Sequence, residues 1–348
     1  MMSSRLSPRR PETAMVRMPL IALLLLTAGA SAQTEAPVYP SASPSSRGAV
    51  VQQVPASTQP TPWNQVSGRI GVASDPAISA TISQWRSLQQ SDGQGFSPYA
   101  SFIMANPGWP GEDRMRRLAE TSINPNSYDP RQVTAFFARF PARTATGHAR
   151  NALALLQMGR MAEARIAARS AWVGGSLSPD DEARLLSLFG SSWTSADHDQ
   201  RADMLLWGSD IAGAQRMLAY VTPARRPVYD ARIGFRQKLP DAAARMQIAE
   251  SVGVSDAGYI ADKATWMINT GNWIAARQYL ANRPALTFRP GNAEKWYETL
   301  LGQARAAAND SQWSFAYGIA SKIDDAYAPG VDVSSRPIGE RDDYTSLA

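Results

Sequence analysis

From Ala77 onward, apolar residues return every three or four positions, the spacing of one helix face. Ile78, Ile82, Trp85 and Leu88 fall on such a stripe. Ser97-Pro98 predicts an N-cap followed by proline at the first helical position, with Tyr99, Phe102 and Ile103 behind it and a stop at Asn106-Pro107-Gly108. Pro110 predicts the opening of the next helix, with Met115 and Leu118 on one face. Asp129-Pro130-Arg131-Gln132 reads as a capping box that starts Val133–Phe140, and Pro141 ends that helix. Ser178 caps a helix carrying Leu185, Leu186 and Phe189; Thr194 caps one carrying Met204, Leu205 and Trp207. Both place acids in the first turn, where the helix dipole favours negative charge. Alternating β-branched runs are not evident, so the expected fold class is all-α.

The predicted helices come in pairs. Asn151–Met158, Gly159 and Ala162–Trp172 read as helix, tight turn, helix, and so do Ala264–Thr270, Gly271 and Trp273–Ala281. Gly159 stands to Ala164-Arg165 as Gly271 does to Ala276-Arg277. Looser copies cover Trp207–Tyr220 and Ala306–Ala320. Glycine permits a left-handed turn, and alanine lets the second helix come close to the first. A hairpin of this kind leaves an apolar face bare until a neighbour stacks on it. The expected architecture is therefore an α-solenoid of antiparallel helix hairpins, superhelical and TPR-like.

Ahead of these helices the pattern changes. Arg17 precedes Leu20–Leu26, and Ala30-Ser31-Ala32 supplies a small-x-small cleavage site, so residues 1–32 read as a signal peptide cut after Ala32. The apolar run is short for a membrane span, so the membrane enters only through an uncleaved signal, and the expected compartment is the periplasm. Residues 33–76 are rich in Pro, Ser, Thr and Gln and read as a disordered linker. Residues 77–348 are the expected superhelical domain. Asp342–Leu347 reads as the opening of one more apolar helix with no body after it, so that domain is expected to be truncated at its C-terminal end. Formal net charge is +5, and residues 1–32 hold four arginines against Glu12, which leaves +2 for the rest. A chain so nearly neutral gives no electrostatic reason to expect nucleic acid as a partner. With no cysteine, disulfides and thiolate chemistry are excluded.

Candidate chemistry is sparse. The two histidines, His148 and His198, fall on different predicted helices. Asp197-His198-Asp199 with Asp203 is a conceivable cation site, but a charged first turn of solvated acids explains it better. A Ser-His-Asp triad lacks its Gly-x-Ser-x-Gly elbow, and no Gly-rich phosphate loop is present. Asp180, Asp181, Glu182, Glu250 and Glu294 are conceivable members of a glycosidase pair, and each is better explained as an exposed acid. Trp85, Trp109, Trp172, Trp193, Trp207, Trp266, Trp273, Trp296 and Trp313 suit sugar stacking but are expected mostly in the core. Arg114-Met115-Arg116-Arg117 and Arg225-Arg226 are expected on solvated faces, or in a solenoid lumen binding anionic glycan carboxylates. No catalytic, metal or cofactor-binding residue is assigned, and no cofactor is expected. A carboxylic acid sheltered in a sugar-sized groove would count against that assignment.

Several segments resemble the superhelical region of bacterial soluble lytic murein transglycosylases. Phe102–Pro110 is similar to an early helix that ends in an Asn-Pro segment. The most specific likeness is Gly190-Ser191-Ser192-Trp193-Thr194, then Asp197-His198, Arg201-Ala202-Asp203 and Leu205-Leu206-Trp207. Asp262–Trp266, Arg277–Leu280, and Trp313 with Ala316–Ala320 resemble later units. The resemblance implies a periplasmic partner of peptidoglycan glycan strands, from a family that cleaves the MurNAc–GlcNAc bond to leave a 1,6-anhydromuramoyl end. In that family one Glu acts as acid and then base, in a Glu-Ser motif followed by Gly-Leu-Met-Gln. Here the only Glu-Ser is Glu250-Ser251 and no Gly-Leu-Met-Gln follows, so the lysozyme-like catalytic domain is missing. The expectation is a glycan-binding scaffold; the alternative is a periplasmic helical-repeat adaptor for protein–protein interaction.

Overall fold

Five interhelical turns among the described residues share one geometry. Gly159, Ser209, Lys238, Gly271 and Ser311 all have positive φ, at 75°, 64°, 53°, 85° and 59°. Each donates its N–H to the carbonyl three residues back, and the next residue donates to the carbonyl five back. The pairs are Gly159 to Leu156 with Arg160 to Leu155, Ser209 to Leu206 with Asp210 to Leu205, Lys238 to Phe235 with Leu239 to Gly234, Gly271 to Ile268 with Asn272 to Met267, and Ser311 to Ala308 with Gln312 to Ala307. This Schellman closure satisfies the orphan carbonyls of one helix and aims the chain into the next. Five residues after three of the turns, Ala164, Ala214 and Ala276 are fully buried, so the second helix lies close to its neighbour.

In this computed structural model residues 76–348 are described, and they belong to one compact unit, Gly71–Ala348. The expected signal peptide (1–32) and nearly all of the expected linker (33–76) lie outside the described residues. Sixteen α-helices run through the described part. They are α1 (Pro76–Gln90), α2 (Phe96–Ala105), α3 (Glu112–Ser122), α4 (Pro130–Arg139), α5 (Ala145–Gln157), α6 (Met161–Val173), α7 (Pro179–Phe189) and α8 (Ser195–Trp207). After these come α9 (Ile211–Met217), α10 (Arg226–Gln237), α11 (Ala242–Gly253), α12 (Ala257–Asn269), α13 (Trp273–Ala281), α14 (Ala293–Asn309), α15 (Trp313–Ala320) and α16 (Ile338–Leu347). Among the described residues the only β pairing is an isolated parallel bridge between Asp256 and Phe288. The fold is all-α.

Helices pack on the next and the next but one. Thus α5 meets α6 and α7, α8 meets α9 and α10, α10 meets α11 and α12, α12 meets α13 and α14, and α14 meets α15 and α16. This pattern is consistent with stacked helical units. The apolar interior follows it as successive clusters: around Phe136 in α1–α4, around Trp172 in α5–α10, around Tyr259 in α10–α12, and around Trp296 in α12–α16. The segment expected to open an apolar helix at Asp342 lies within α16, which buries Leu347 in the last of these clusters.

Two predicted helix starts are corrected. The second helix begins at Phe96 after Gly95, not behind a Ser97 cap, because Phe96 is drawn into edge contact with Phe136 at 5.5 Å. Pro110 does not open α3. Its carbonyl accepts from Trp85 Nε1 (2.8 Å), and the chain turns through Gly111 at φ 78° before the helix starts at Glu112. Ser178 accepts from Asp181 N and Thr194 forms a reciprocal box with Asp197, as expected; Asp129 caps α4 by accepting from Arg131 N, but the expected box does not form, because Gln132 Oε1 accepts from Ser97 Oγ (3.4 Å).

Candidate functional site

Asp181 and Glu182, expected as exposed acids, instead join helices to one another through buried arginines. Arg150 on α5 makes two bonds with Asp181 on α7 while its Nε donates to Ile123 O (3.0 Å). Arg201 on α8, fully buried, donates to Trp172 O, Gly175 O and Glu182, each at 2.9 Å. Arg232 on α10, also fully buried, bridges Asp203 on α8 and Asp262 on α12 (2.7 Å). A methyl at Gly258 would lie 2.3 Å from the Arg232 guanidinium, so glycine is needed there. Buried guanidinium groups survive because each is both paired with a carboxylate and hydrogen-bonded.

The Asp-His-Asp run therefore forms no cation site. Asp197 is buried in its capping box and pairs with Arg169 (2.6 Å). Burial raises its pKa, but the Thr194 hydrogen bonds and Arg169 outweigh burial and hold it below the usual carboxylate range. His198 Nδ1 accepts from Trp172 Nε1 (3.1 Å), and burial lowers its pKa. Asp199 accepts from Thr222 N (3.0 Å) and Thr222 Oγ1 (2.8 Å). No metal-holding group of His, Cys, Asp and Glu occurs among the described residues. Among the proposed glycosidase acids only Asp180 and Glu294 are exposed. Asp181 and Glu182 are paired as above, and Glu250 accepts from Lys263 Nζ (2.7 Å) and Tyr259 OH (2.8 Å). Arg116 and Arg225 are buried, contrary to the solvated-face expectation, because Arg116 donates to Pro141 O (2.8 Å) and Arg225 to Asp256 (2.6 Å). Arg226 is exposed, as expected.

One concave site lies among these pairs. A cavity of about 570 Å³ lies between the first half of α8, the start of α10 and the strand-like segment 287–289. Its wall is fixed by backbone pairing: Thr287 N and Phe288 N donate to Ser255 O, and Ala257 N donates to Phe288 O (3.0 Å). Arg225 stacks on Phe288 with 3.7 Å from guanidinium carbon to ring centroid, donates Nη2 to Asp256, and leaves buried Nη1 without a partner. Both Asp256 oxygens are engaged, the second by Tyr259 N (2.7 Å). Asp203 uses Oδ1 for Arg232, while its Oδ2 faces Gly291, where an added methyl would come within 2.5 Å. Burial and the neighbouring Asp256 raise the Asp203 pKa against the pull of Arg232. Asp203 lines this cavity with one oxygen held by Arg232 and the other against Gly291, so neither oxygen is shown open to a ligand. Sequence reasoning grouped Asp203 with Asp197 and Asp199 and missed Asp256, Phe288 and Arg289, since only the fold brings 287–289 beside α8.

A second cavity, about 500 Å³, opens at the C-terminal ends of α8, α10 and α12. Trp207, Phe235 and Trp266 give it apolar walls, and Asn269, Lys295 and Glu298 give it polar ones. Of the other tryptophans, Trp172, Trp193 and Trp296 are core residues as expected; Trp273 and Trp313 are exposed. Comparison of the chain with family models, curated proteins and solved structures gives no match.

Proposed function

We propose that this chain is a non-catalytic helical scaffold of the periplasm that holds peptidoglycan glycan strands, as the superhelical part of a lytic transglycosylase would. One observation carries the reading: four of the residues that bear the resemblance, His198, Arg201, Asp203 and Asp262, are joints between helical units. His198 bonds Trp172, Arg201 bonds the α6–α7 turn, and Asp203 and Asp262 share Arg232. A likeness that is most specific at such joints supports common architecture, and architecture is what a scaffold contributes. The cavity beside Trp266 offers the pairing of aromatic faces with amide, ammonium and carboxylate groups that suits a sugar ring. Incubation of the full chain with purified murein sacculi is expected to give co-sedimentation without release of soluble fragments, and Trp266→Ala is expected to weaken retention. Absence of co-sedimentation overturns the reading. Clearing in a murein zymogram that is lost in Asp203→Asn would make the chain an enzyme with Asp203 as its acid.

The adaptor reading is favoured by a different observation. Trp313 and Tyr317 on α15 are 66% and 75% exposed, beside exposed Trp273 and Ile274 on the adjacent α13. An adaptor would keep its partner after Trp266→Ala and lose it after Trp313→Ala with Tyr317→Ala.

A further inference from the structure

Helix α15 has the composition of a buried helix and the exposure of a surface one. Its sequence, Trp313–Ala320, contains no charged side chain, yet Ile319 is its only buried residue. Its equivalent in the preceding pair, α13, buries Ala276, Arg277, Leu280 and Ala281. Among the described residues the helices packed on α15 are chiefly α13 and α14, and they leave Trp313 and Tyr317 in solvent, one turn apart on the same row. A helix apolar on every side is normally enclosed, so this face gains free energy from cover.

The first described helix carries a matching surface. Helix α1 packs on its own chain through Trp85 and Leu88, but Pro76 to Ala80 are all exposed. Its apolar stripe therefore runs on past its own cluster: Ile78 is 57% exposed and Ile82 is half-buried. Ile78 and Ile82, like Trp313 and Tyr317, form an i,i+4 row, the row that packs ridge into groove most often. The small side chains of Ser79, Ala80 and Ser83 stand around the two isoleucines and leave room for the indole and phenol rings. No charged residue lies on α1 before Arg86. The hydroxyls of Thr81 and Ser83 already bond back to Ala77 O (2.8 Å) and Ser79 O (2.9 Å). Joining these faces therefore removes apolar surface from water and strands neither a charge nor those hydroxyls. We propose that α15 is covered by α1 of a second copy of this chain, so that copies associate head to tail. Two different surfaces meet, so each dimer keeps one free α15 and one free α1, and growth goes on until a ring closes. A lipid surface is a poorer match, because α15 offers no Lys or Arg to anionic headgroups. The inference goes beyond the glycan reading, which concerns the Trp266 cavity, and it gives the exposed face of the adaptor reading an occupant from the chain itself.

Sedimentation velocity of the full chain, from about 5 to about 500 μM, tests it, since an interface this small is expected to be weak. The weight-average mass is expected to rise with concentration. Ile78→Asp places an acid in the first turn of α1, where the helix dipole favours it, and Trp313→Ala with Tyr317→Ala alters only exposed side chains. Both variants are expected to keep the wild-type circular dichroism, and each alone is expected to stay monomeric. Mixed in equal amounts they are expected to form dimers and nothing larger, because one retains a working α15 and the other a working α1. The proposal is overturned if the wild-type chain stays monomeric throughout, or if the mixture does. It is overturned as well if Ile78→Asp still self-associates, the result for α15 pairing with α15, or if the wild-type monomer floats with phosphatidylglycerol vesicles through Trp313 and Tyr317, the result for a lipid partner. The glycan and adaptor readings are decided separately, by sacculus retention and by capture of a different protein.

Discussion

His198 shows how far a single residue's role depends on what surrounds it. It sits against Trp172, Trp193 and Tyr220, accepts a hydrogen bond at Nδ1 from Trp172, and has Asp197, Asp199 and Arg201 as charged neighbours. Burial lowers its pKa below the ordinary 6.5, with Asp197 opposing and Arg201 adding to the shift. Protonation would also turn the Nδ1 acceptor into a donor facing another donor. His148 is shifted the same way by burial. An unfolded chain takes up these protons first, so the stabilisation is complete above about pH 6.5 and falls as pH drops through that value toward the folded-state pKa. The melting temperature is expected to decline between about pH 7 and pH 5, and His198→Gln is expected to flatten that decline. Asp203, raised by burial, has the opposite sign: its contribution is present below the ordinary 3.8 and is lost as pH rises through its folded value. Arg232→Met removes the shared partner of Asp203 and Asp262 and is expected to cost about 3–5 kcal/mol, read as a lower urea midpoint at constant slope. Arg160→Ala breaks an exposed Glu163 pair and is expected to leave the midpoint where it was.

At the scale of the element, the repeated Schellman turn is the device that turns a run of helices into stacked pairs. Two of its five positions carry serine and one carries lysine, although the left-handed conformation costs an L-residue roughly 1–2 kcal/mol. Ser209→Gly and Ser311→Gly remove that cost and return about 0.5–1 kcal/mol of it to the freer unfolded chain, so each is expected to raise stability by a few tenths of a kcal/mol. Gly159→Ala and Gly271→Ala are expected to lower it by about 1 kcal/mol, and equilibrium unfolding of the four variants checks both signs. Sequence reading found the turns at Gly159 and Gly271 because glycine announces them, and it rated the copies at Ser209 and Ser311 as looser. The backbone makes no such distinction, because hydrogen bonding and the packing of the next helix hold serine in the same conformation.

For the whole molecule, the most informative contact spans 88 residues. Lys295 Nζ at the start of α14 donates to Trp207 O at the end of α8 (2.7 Å). The segment before it passes so close to α8 that a methyl at Gly291 would meet Asp203 Oδ2 at 2.5 Å, Met204 Sδ at 2.9 Å and Trp207 Cδ1 at 3.1 Å. Arg289 Nε, bonded to Tyr327 O (2.7 Å), ties the same segment to the following unit. Gly291→Leu is therefore expected to lift residues 284–291 off α8, lower thermal stability, and expose that segment to limited proteolysis ahead of the rest of the chain.

Helical periodicity, caps at Asp129, Ser178 and Thr194, and glycines at 159 and 271 are local properties, and the sequence alone determined from them an all-α chain of short helices with tight turns. The partner of each buried arginine was not legible, because Arg232 lies 29 residues from Asp203 and 30 from Asp262 and nothing local marks the pairing. Nor was the cavity at Asp203, whose wall at Phe288 is fixed by hydrogen bonds to Ser255 and Ala257. Local preference acts over about one helical turn. Burial of charge is decided by which surfaces the stacked helices bring together, so only the tertiary structure could separate the acids that join helices, such as Asp181 and Glu182, from those left exposed, Asp180 and Glu294.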